Sequence, residues 1–417
     1  MIHTLEELRS GKLEGSKQLK IQEGLLEFPE ELFSLCDSLE LLDLSGNLLS
    51  DLPDLSRFKK LKIAFFSQNS FEKIPDVFKA CSNLYMLGFK SNAITVFDED
   101  ILPLSISWLI LTENRLTALP LSIGKLHKLQ KFAVAGNRLK SLPNSMRECK
   151  NLELLRLSAN ELEEIPEWLF TLPKLAWFAF SGNPCSISKG SSLNVVAYKD
   201  IELDTLLGEG ASGKIYRAHS PLFKSLVAVK LFKGAVTSDG YAKDEMNACM
   251  MAGEHPNLIK VLARVEHKHL GLILEYISKE YITLGNPPNF ETCTRDTYEE
   301  DSSFSSEEIL VIAKSIAGAA GHLHSKGIVH GDLYAHNILY NQKDNAYLGD
   351  FGAASFYDVG SEKHERLDVL AYGHLLEDLL TRCLDRESKL YKNLVVLQER
   401  CQVHDPKKRP LFCEMEF

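Results

Sequence analysis

The sequence is short of several things at once. No apolar run approaches the ~20 residues that cross a bilayer. The opening stretch, MIHTLEELRSGKLEG, holds neither an apolar core nor a small-residue cleavage site. Cysteines number only nine, an odd count without a CxxC pair, which argues against a disulfide scaffold or a zinc site. Basic charge is in deficit: 47 Lys and Arg against 57 Asp and Glu give a net charge of −10, without the excess that nucleic acid or an anionic membrane surface attracts. We therefore expect a cytoplasmic protein with reduced thiols, no membrane span and no nucleic-acid partner. The rest is ordinary globular material: 417 residues, 45% hydrophobic and 25% charged, enough for two or three domains.

The first half repeats itself. LELLDLSGNLLSDLP, from Leu39 to Pro53, recurs as LKIAFFSQNSFEKIP, LYMLGFKSNAITVFD, ISWLILTENRLTALP, LQKFAVAGNRLKSLP and LELLRLSANELEEIP, and last as LAWFAFSGNPC. The asparagines Asn47, Asn69, Asn92, Asn114, Asn137, Asn160 and Asn183 follow one another at 22 or 23 residues. A degenerate first copy puts Gly24 in their place, which makes about eight repeats. The L-x-L core alternates with period two, so each copy predicts a short strand with every second residue inward. An asparagine buried at the following turn can bond main-chain groups that the turn leaves unpaired, as a ladder from copy to copy. One copy cannot bury its apolar face alone, whereas a stack can.

This pattern resembles the leucine-rich repeat family over residues 1–187, with TLEELRSGKLEG as a helical cap. The resemblance implies an α/β solenoid whose concave strand face binds a protein partner through residues such as Glu40, Asp43, Tyr85, Lys90, Trp108, Lys131, Arg156 and Trp177. A polar Ser/Gly-rich stretch, SISKGSSLN, reads as a linker over residues 188–197.

The second half carries an ordered set of short motifs. LLGEGASGKIYRAH supplies Gly208, Gly210 and Gly213. Alone, these glycines suit either a strand-to-helix dinucleotide turn or a hairpin over phosphates. KIYRAHS and SLVAVKLF both alternate as strands, and VAVK supplies Lys230, so the hairpin reading wins. The motifs HPNLI, HGDLYAHN, GDFG and DPKKRP then follow in order. Together they resemble the eukaryotic-type protein kinases, serine/threonine or tyrosine-kinase-like. The resemblance covers residues 198–417 and implies an α+β bilobal fold, with an N-lobe to about residue 277 and a C-lobe from 278.

It also implies ATP and Mg2+ as cofactors and assigns the site residues. Lys230 pairs with Glu245, or failing that Asp244, and orients the phosphates. Leu274 is the gatekeeper, Glu275 to Ile277 offer main-chain groups to adenine, and Ile215, Ala228 and Leu339 form its apolar walls. Asp332 accepts the proton of the substrate hydroxyl. Asn337 and Asp350 supply oxygens to the metal. Asp368 holds the main chain around His330, and Arg409 closes the lobe.

Three departures stand against that pattern. Gly331 replaces the arginine that pairs with a phosphorylated activation loop. Tyr334 stands where serine/threonine kinases place a lysine, with His336 a cation for the phosphoryl group if protonated. Only eighteen positions separate Asp350 from Asp368, and no Ala-Pro-Glu lies between them. That leaves room for a direct crossing and no substrate platform, and Arg409 is expected to find Asp405 or a loop acid instead. The stretch Ser278–Glu308 is acidic and Pro/Ser-rich and reads as a partly irregular, exposed loop. The function expected is an Mg- and ATP-dependent protein kinase, most simply on Ser/Thr, whose repeats select the substrate by tethering. A nucleotide-binding scaffold without catalysis and a kinase of small molecules are the alternatives.

Overall fold

The computed structural model describes residues 2–187, 194–210, 212–234, 239–266 and 270–417. Its chain divides into two compact units, one of residues 1–156 and 160–172, the other of residues 157–159 and 173–417. The second unit thus takes in the last copy of the repeat, expected with the array, and also the strand Val195–Ala197, expected in the linker. The remainder of that linker, residues 188–193, lies outside the described residues.

The first unit opens with helix α1 (Leu5–Arg9), capped reciprocally by Thr4 and Glu7. Seven three-residue strands follow in sequence order in one parallel sheet: β1 (Gln18–Lys20), β2 (Leu41–Asp43), β3 (Ile63–Phe65), β4 (Met86–Gly88), β5 (Trp108–Ile110), β6 (Lys131–Ala133) and β7 (Leu154–Arg156). Their middle residues, Leu19, Leu42, Ala64, Leu87, Leu109, Phe132 and Leu155, are all buried, as the alternation requires. The asparagines do what their position predicts. Asn137 Nδ2 donates to the carbonyls of Leu111 in the preceding copy (2.9 Å) and Val134 in its own (3.0 Å), while its Oδ1 accepts from Leu116 N (3.0 Å). Asn69, Asn92 and Asn114 repeat the same pattern. On the outer side, Pro29, Pro120, Pro143 and Pro166 each precede a short 3-10 turn, where a fixed φ costs nothing. Not every expected face residue is open to solvent: Trp108 and Arg156 are buried, and the Lys131 ammonium sits 4.1 Å from the centre of the Trp108 ring.

The second unit begins with β8 (Trp177–Ala179) and continues with β9 (Val195–Ala197), β10 (Glu202–Glu209), β11 (Gly213–His219) and β12 (Val227–Phe232). After helix α2 (Ala242–Ala252) come β13 (Val261–Glu266) and β14 (Gly271–Glu275). These build a six-stranded sheet in the order β10-β11-β12-β14-β13-β9, antiparallel except where β9 joins β13. Val227, Val229, Ala263 and Ile273 fill one face, and Phe232, Met246, Met250 and Leu272 join the other to α2. The helical part follows: β15 (Ile282–Thr283), α3 (Ser306–Ser325), β16 (Ile328–Val329), β17 (Ile338–Tyr340), β18 (Ala346–Leu348), β19 (Ser355–Phe356), α4 (Glu362–Leu380) and α5 (Lys389–Cys401). Among the described residues no helix is long and apolar enough to cross a membrane.

The ladder carries a prediction. Asn137→Ala leaves the Leu116 N–H without a partner in a buried turn and takes one of two side-chain donors from Leu111 O and Val134 O, which keep Asn114 and Asn160, and is expected to cost about 2 kcal/mol. Calorimetry would show it as an earlier transition of the first unit, with the second unit's transition unmoved.

Candidate active site

Strands β10 and β11 form a hairpin whose tip is closed by Gly210 N donating to Gly213 O at 2.9 Å. This is the strand–turn–strand geometry, and it leaves Gly208 and Gly210 exposed at the tip. One strand over, Lys230 lies opposite Ile215 on β11 and Leu272 on β14. Its ammonium pairs with Glu245 of α2, both side chains buried, and stands 3.6 Å from Asp350 Oδ1. Glu245 rather than Asp244 is therefore the partner. Burial opposes the Lys230 charge, but Asp350 and Glu245 together outweigh it and hold the group protonated. Burial pushes the Glu245 carboxyl up, and Lys230 offsets this only in part.

Ala228 faces Leu274 across the β12–β14 pair, while Leu339 lies on β17. The main-chain N–H of Glu275 already donates to Lys260 O at 2.9 Å. That N–H is therefore engaged within the protein rather than open to a base.

The loop from His330 to Asn337 is fixed by a buried acid. Asp368, fully buried on α4, accepts from His330 N at 2.7 Å and from Gly331 N at 3.0 Å, and His324 Nε2 lies 3.0 Å away. Burial works against its charge, but the bonds and charge of His324 and His330 hold its carboxyl below the usual value. Between these anchors Asp332 reaches Asn337, whose Nδ2 donates to Asp332 O (2.9 Å) and Oδ2 (3.0 Å). The amide is thereby turned so that its oxygen remains as a neutral donor. Asp350 has φ +50° and accepts from Gly352 N at 3.1 Å. Its side chain stays open to solvent on one side; neighbouring protein opposes its ionisation, yet Lys230 and that N–H keep it below the ordinary carboxylate value. One neutral and one charged oxygen suit a hard divalent cation that takes its other ligands from phosphate and water.

Sequence reasoning missed a second anchor. Asp296, in the stretch expected to be an exposed loop, is buried and accepts from Ala335 N (2.5 Å) and His336 N (3.3 Å), and His336 Nδ1 lies 2.7 Å from its other oxygen. Burial would lower the His336 pKa, but Asp296, with Asp332 and Asp350 nearby, raises it. Arg295 beside it bonds Glu377 (2.9 Å) and Asp378 (2.5 Å) of α4. The segment is thus pinned to the lobe rather than loose over it. The signal was present as an Arg-Asp pair among Cys293, Thr294 and Thr297 in an otherwise acidic run.

The short crossing is as brief as the spacing implied: five residues, Tyr357–Ser361, join β19 to α4. The departures have occupants. Tyr334 is buried and stacks on Trp177, centroids 4.5 Å apart and planes 4° apart. Trp177, expected on an open binding face, is 1% exposed and donates from Nε1 to Leu333 O at 3.2 Å. LAWFAF holds too many aromatics on both faces of its strand for one of them to meet water. Gly331 has φ +70°, and a Cβ there would stand 2.5 Å from the Phe178 carbonyl oxygen. Arg409 does not meet Asp405 or any loop acid. It is held by three carbonyls, Val403 O (3.1 Å), Arg366 O (3.2 Å) and Pro173 O (2.6 Å), and burial pushes its pKa down to about 10.

Residues 201–373 match the protein kinase domain family model. Among curated proteins, fibroblast growth factor receptor 1 of Xenopus laevis is 33% identical over 177 residues, 38% of this chain and 21% of that receptor. The probable L-type lectin-domain containing receptor kinase I.5 of Arabidopsis thaliana is 29% identical over 212 residues, 49% of this chain and 29% of that protein. The matched part therefore spans under a third of either relative's length.

Two measurements test the geometry. Gly331→Ala places a Cβ against the Phe178 carbonyl in a left-handed conformation, and is expected to destabilise the second unit by about 2 kcal/mol or more, read from its urea midpoint. His364, stacked on Tyr357 at 4.4 Å, is pushed down by burial to about 3 from an ordinary 6.5. Between those values the unfolded chain binds the extra proton, so stability rises with pH through this window and is complete above it. The melting temperature is expected to fall from about pH 7 to about pH 5, and His364→Phe, which keeps a ring against Tyr357, to flatten that fall.

Proposed function

We propose that this chain is an ATP- and Mg2+-dependent protein kinase that phosphorylates Ser or Thr hydroxyls. One observation carries the reading: Lys230 stands between Glu245 and Asp350 while Asp332 is bonded to Asn337, so the phosphate-orienting, metal-holding and proton-accepting groups converge. Lys230, fixed by Glu245, orients phosphate oxygens. Asp332 accepts the proton of the attacking hydroxyl as its oxygen bonds the terminal phosphorus of ATP, and the bond from that phosphorus to the bridging oxygen breaks to release ADP. Asn337 and Asp350 are the oxygens that would hold Mg2+, which when bound neutralises phosphate charge. We read the first unit as a leucine-rich repeat solenoid that selects a protein through half-buried strand residues such as Glu40, Asp43, Tyr85 and Lys90, and the compartment as the cytoplasm, in keeping with nine free cysteines.

A nucleotide-binding scaffold is the second reading, favoured by the engagement of Tyr334 with Trp177 where a phosphate-facing lysine is usual. Incubation with Mg2+ and labelled ATP, with and without a generic protein acceptor, separates the two. The expected result is label on protein, reduced about 100-fold or more in Asp332→Ala and Asp350→Ala. Nucleotide binding without transfer supports the scaffold, and ATP consumed only with a small acceptor supports a small-molecule kinase. Ser355 of β19 and Tyr357 of the crossing are buried, and the one other hydroxyl there, the half-buried Ser361, lies 3.1 Å from His364 Nδ1, so phosphatase treatment is expected to leave the rate unchanged.

A further inference from the structure

We infer that the closing copy of the repeat takes over the bracing of the catalytic loop, and that Trp177 is a positioning residue for Asp332. The inference rests on the kinase reading above for its meaning in catalysis, and on geometry alone for the contact.

The need for a brace follows from the crossing. With only Tyr357–Ser361 between β19 and α4, the chain has no segment after Asp350 long enough to lie along the outer side of the loop that bears Asp332. Residues 173–182 lie there instead, and they meet the chain at each place where the kinase motifs depart from their usual form. The carbonyl of Phe178 faces Gly331, where an arginine is usual. The Trp177 ring covers Tyr334, where a lysine is usual. The carbonyl of Pro173 bonds Arg409, whose usual glutamate partner the chain lacks. Phe180 N donates to Ser355 Oγ at 3.0 Å, which ties the stretch after Asp350 to the same strand. Two substitutions and one missing partner that look unrelated in sequence thus have one explanation in space.

The brace acts on the peptide that carries the base. Asp332 lies between Gly331, whose N–H is held by Asp368, and Leu333, whose carbonyl is held by Trp177 Nε1. The next side chain, Tyr334, is clamped face to face by the same indole, which also stacks near His374 with centroids 5.4 Å apart. A catalytic carboxylate fixed on both flanks keeps one geometry, and small displacements of such a group are costly in rate. The same segment also reaches the start of α2, the helix that bears Glu245: a Cβ on Gly182 would stand 2.6 Å from the ring of Tyr241, its N-cap residue. The support is part of the resting fold, without a modified residue to complete it.

The test uses the full chain with Trp177→Ala and Trp177→Phe, read by steady-state transfer and by hydrogen exchange of residues 330–337. In Trp177→Ala, kcat is expected to fall about tenfold or more with the KM for ATP changed less than about threefold, because Lys230 and Glu245 are untouched. Exchange at the amides of Ala335, His336 and Asn337 is expected to quicken while that of α3 stays as in the parent. Trp177→Phe keeps a stacking ring and loses the bond to Leu333 O, so it is expected to fall between the two, about threefold below the parent. Parent-level kcat and exchange in Trp177→Ala overturn the inference, as does exchange that quickens equally throughout α3 and the loop. Should Trp177→Ala not fold, Trp177→Phe decides: intermediate behaviour supports the brace and parent behaviour overturns it. If the parent itself transfers no phosphate, the kinase reading fails, and the exchange comparison still decides whether Trp177 positions the loop.

Discussion

The candidate active site hangs on one fully buried carboxylate. Asp368 accepts from two consecutive main-chain N–H groups, those of His330 and Gly331, and is approached by His324. An anion with no access to water persists only where such donors replace its hydration. The arrangement therefore runs both ways. The loop is held because Asp368 needs its donors, and Asp368 stays ionised because the loop supplies them. His330 extends the tie by reaching Gly349 O at 3.0 Å, next to Asp350. One buried charge, together with the His330 ring and the bond from Gly349 N to Asn337 O (2.9 Å), thus sets the separation of Asp332 and Asp350.

Given that anchor, the brevity of the crossing becomes tolerable. A loop fixed only at His330 and Gly331 would leave the chain from Leu333 to Asn337 to find its own support. Asp296 provides it on one side through two N–H groups and the His336 ring. Trp177 provides it on another through a carbonyl and an aromatic face. Gly331 belongs to the same economy of space. With φ +70° and a neighbouring carbonyl where its Cβ would be, the position excludes arginine on steric grounds before any question of charge arises. The glycine at 331 and the short crossing thus answer to one packing arrangement.

What could be read from sequence was what repeats or keeps a fixed local order. The asparagine spacing gave the strand ladder because each copy solves the same main-chain problem in the same way. Lys230, Glu245, Asp332, Asn337 and Asp350 were legible because their motifs sit on short, locally determined turns and strands, although the choice of Glu245 over Asp244 waited for the direction of α2. The hold of Asp368 on the main chain at His330 was expected from the motifs, but distant partners that no motif names were not legible. Arg409 was expected to seek an acid, since a guanidinium invites one, yet three carbonyls close around it from residues as far apart in sequence as Pro173 and Val403. Asp296 was hidden in a run whose Ser, Pro and acid content describes solvated chain on average and says nothing of one buried pair. Trp177 was placed on a binding face because its register in the repeat puts it there. Register fixes which face a side chain takes, not what covers that face.

These particulars bear on how such a site can be controlled. A loop ordered by a phosphate has two states, and the energy that separates them is the handful of charge-assisted bonds the phosphate makes. Here the corresponding contacts are a tryptophan stack, an indole hydrogen bond and an arginine closed on carbonyls, all buried and none created or removed by modification of the crossing. Buried packing of this kind opens only with the structure around it. Control of the proposed activity therefore has few places to act. It can act on access to Lys230 and Asp350, or on the segment 173–182 itself, where moving one strand would loosen Leu333, Tyr334, Ser355 and Arg409 together.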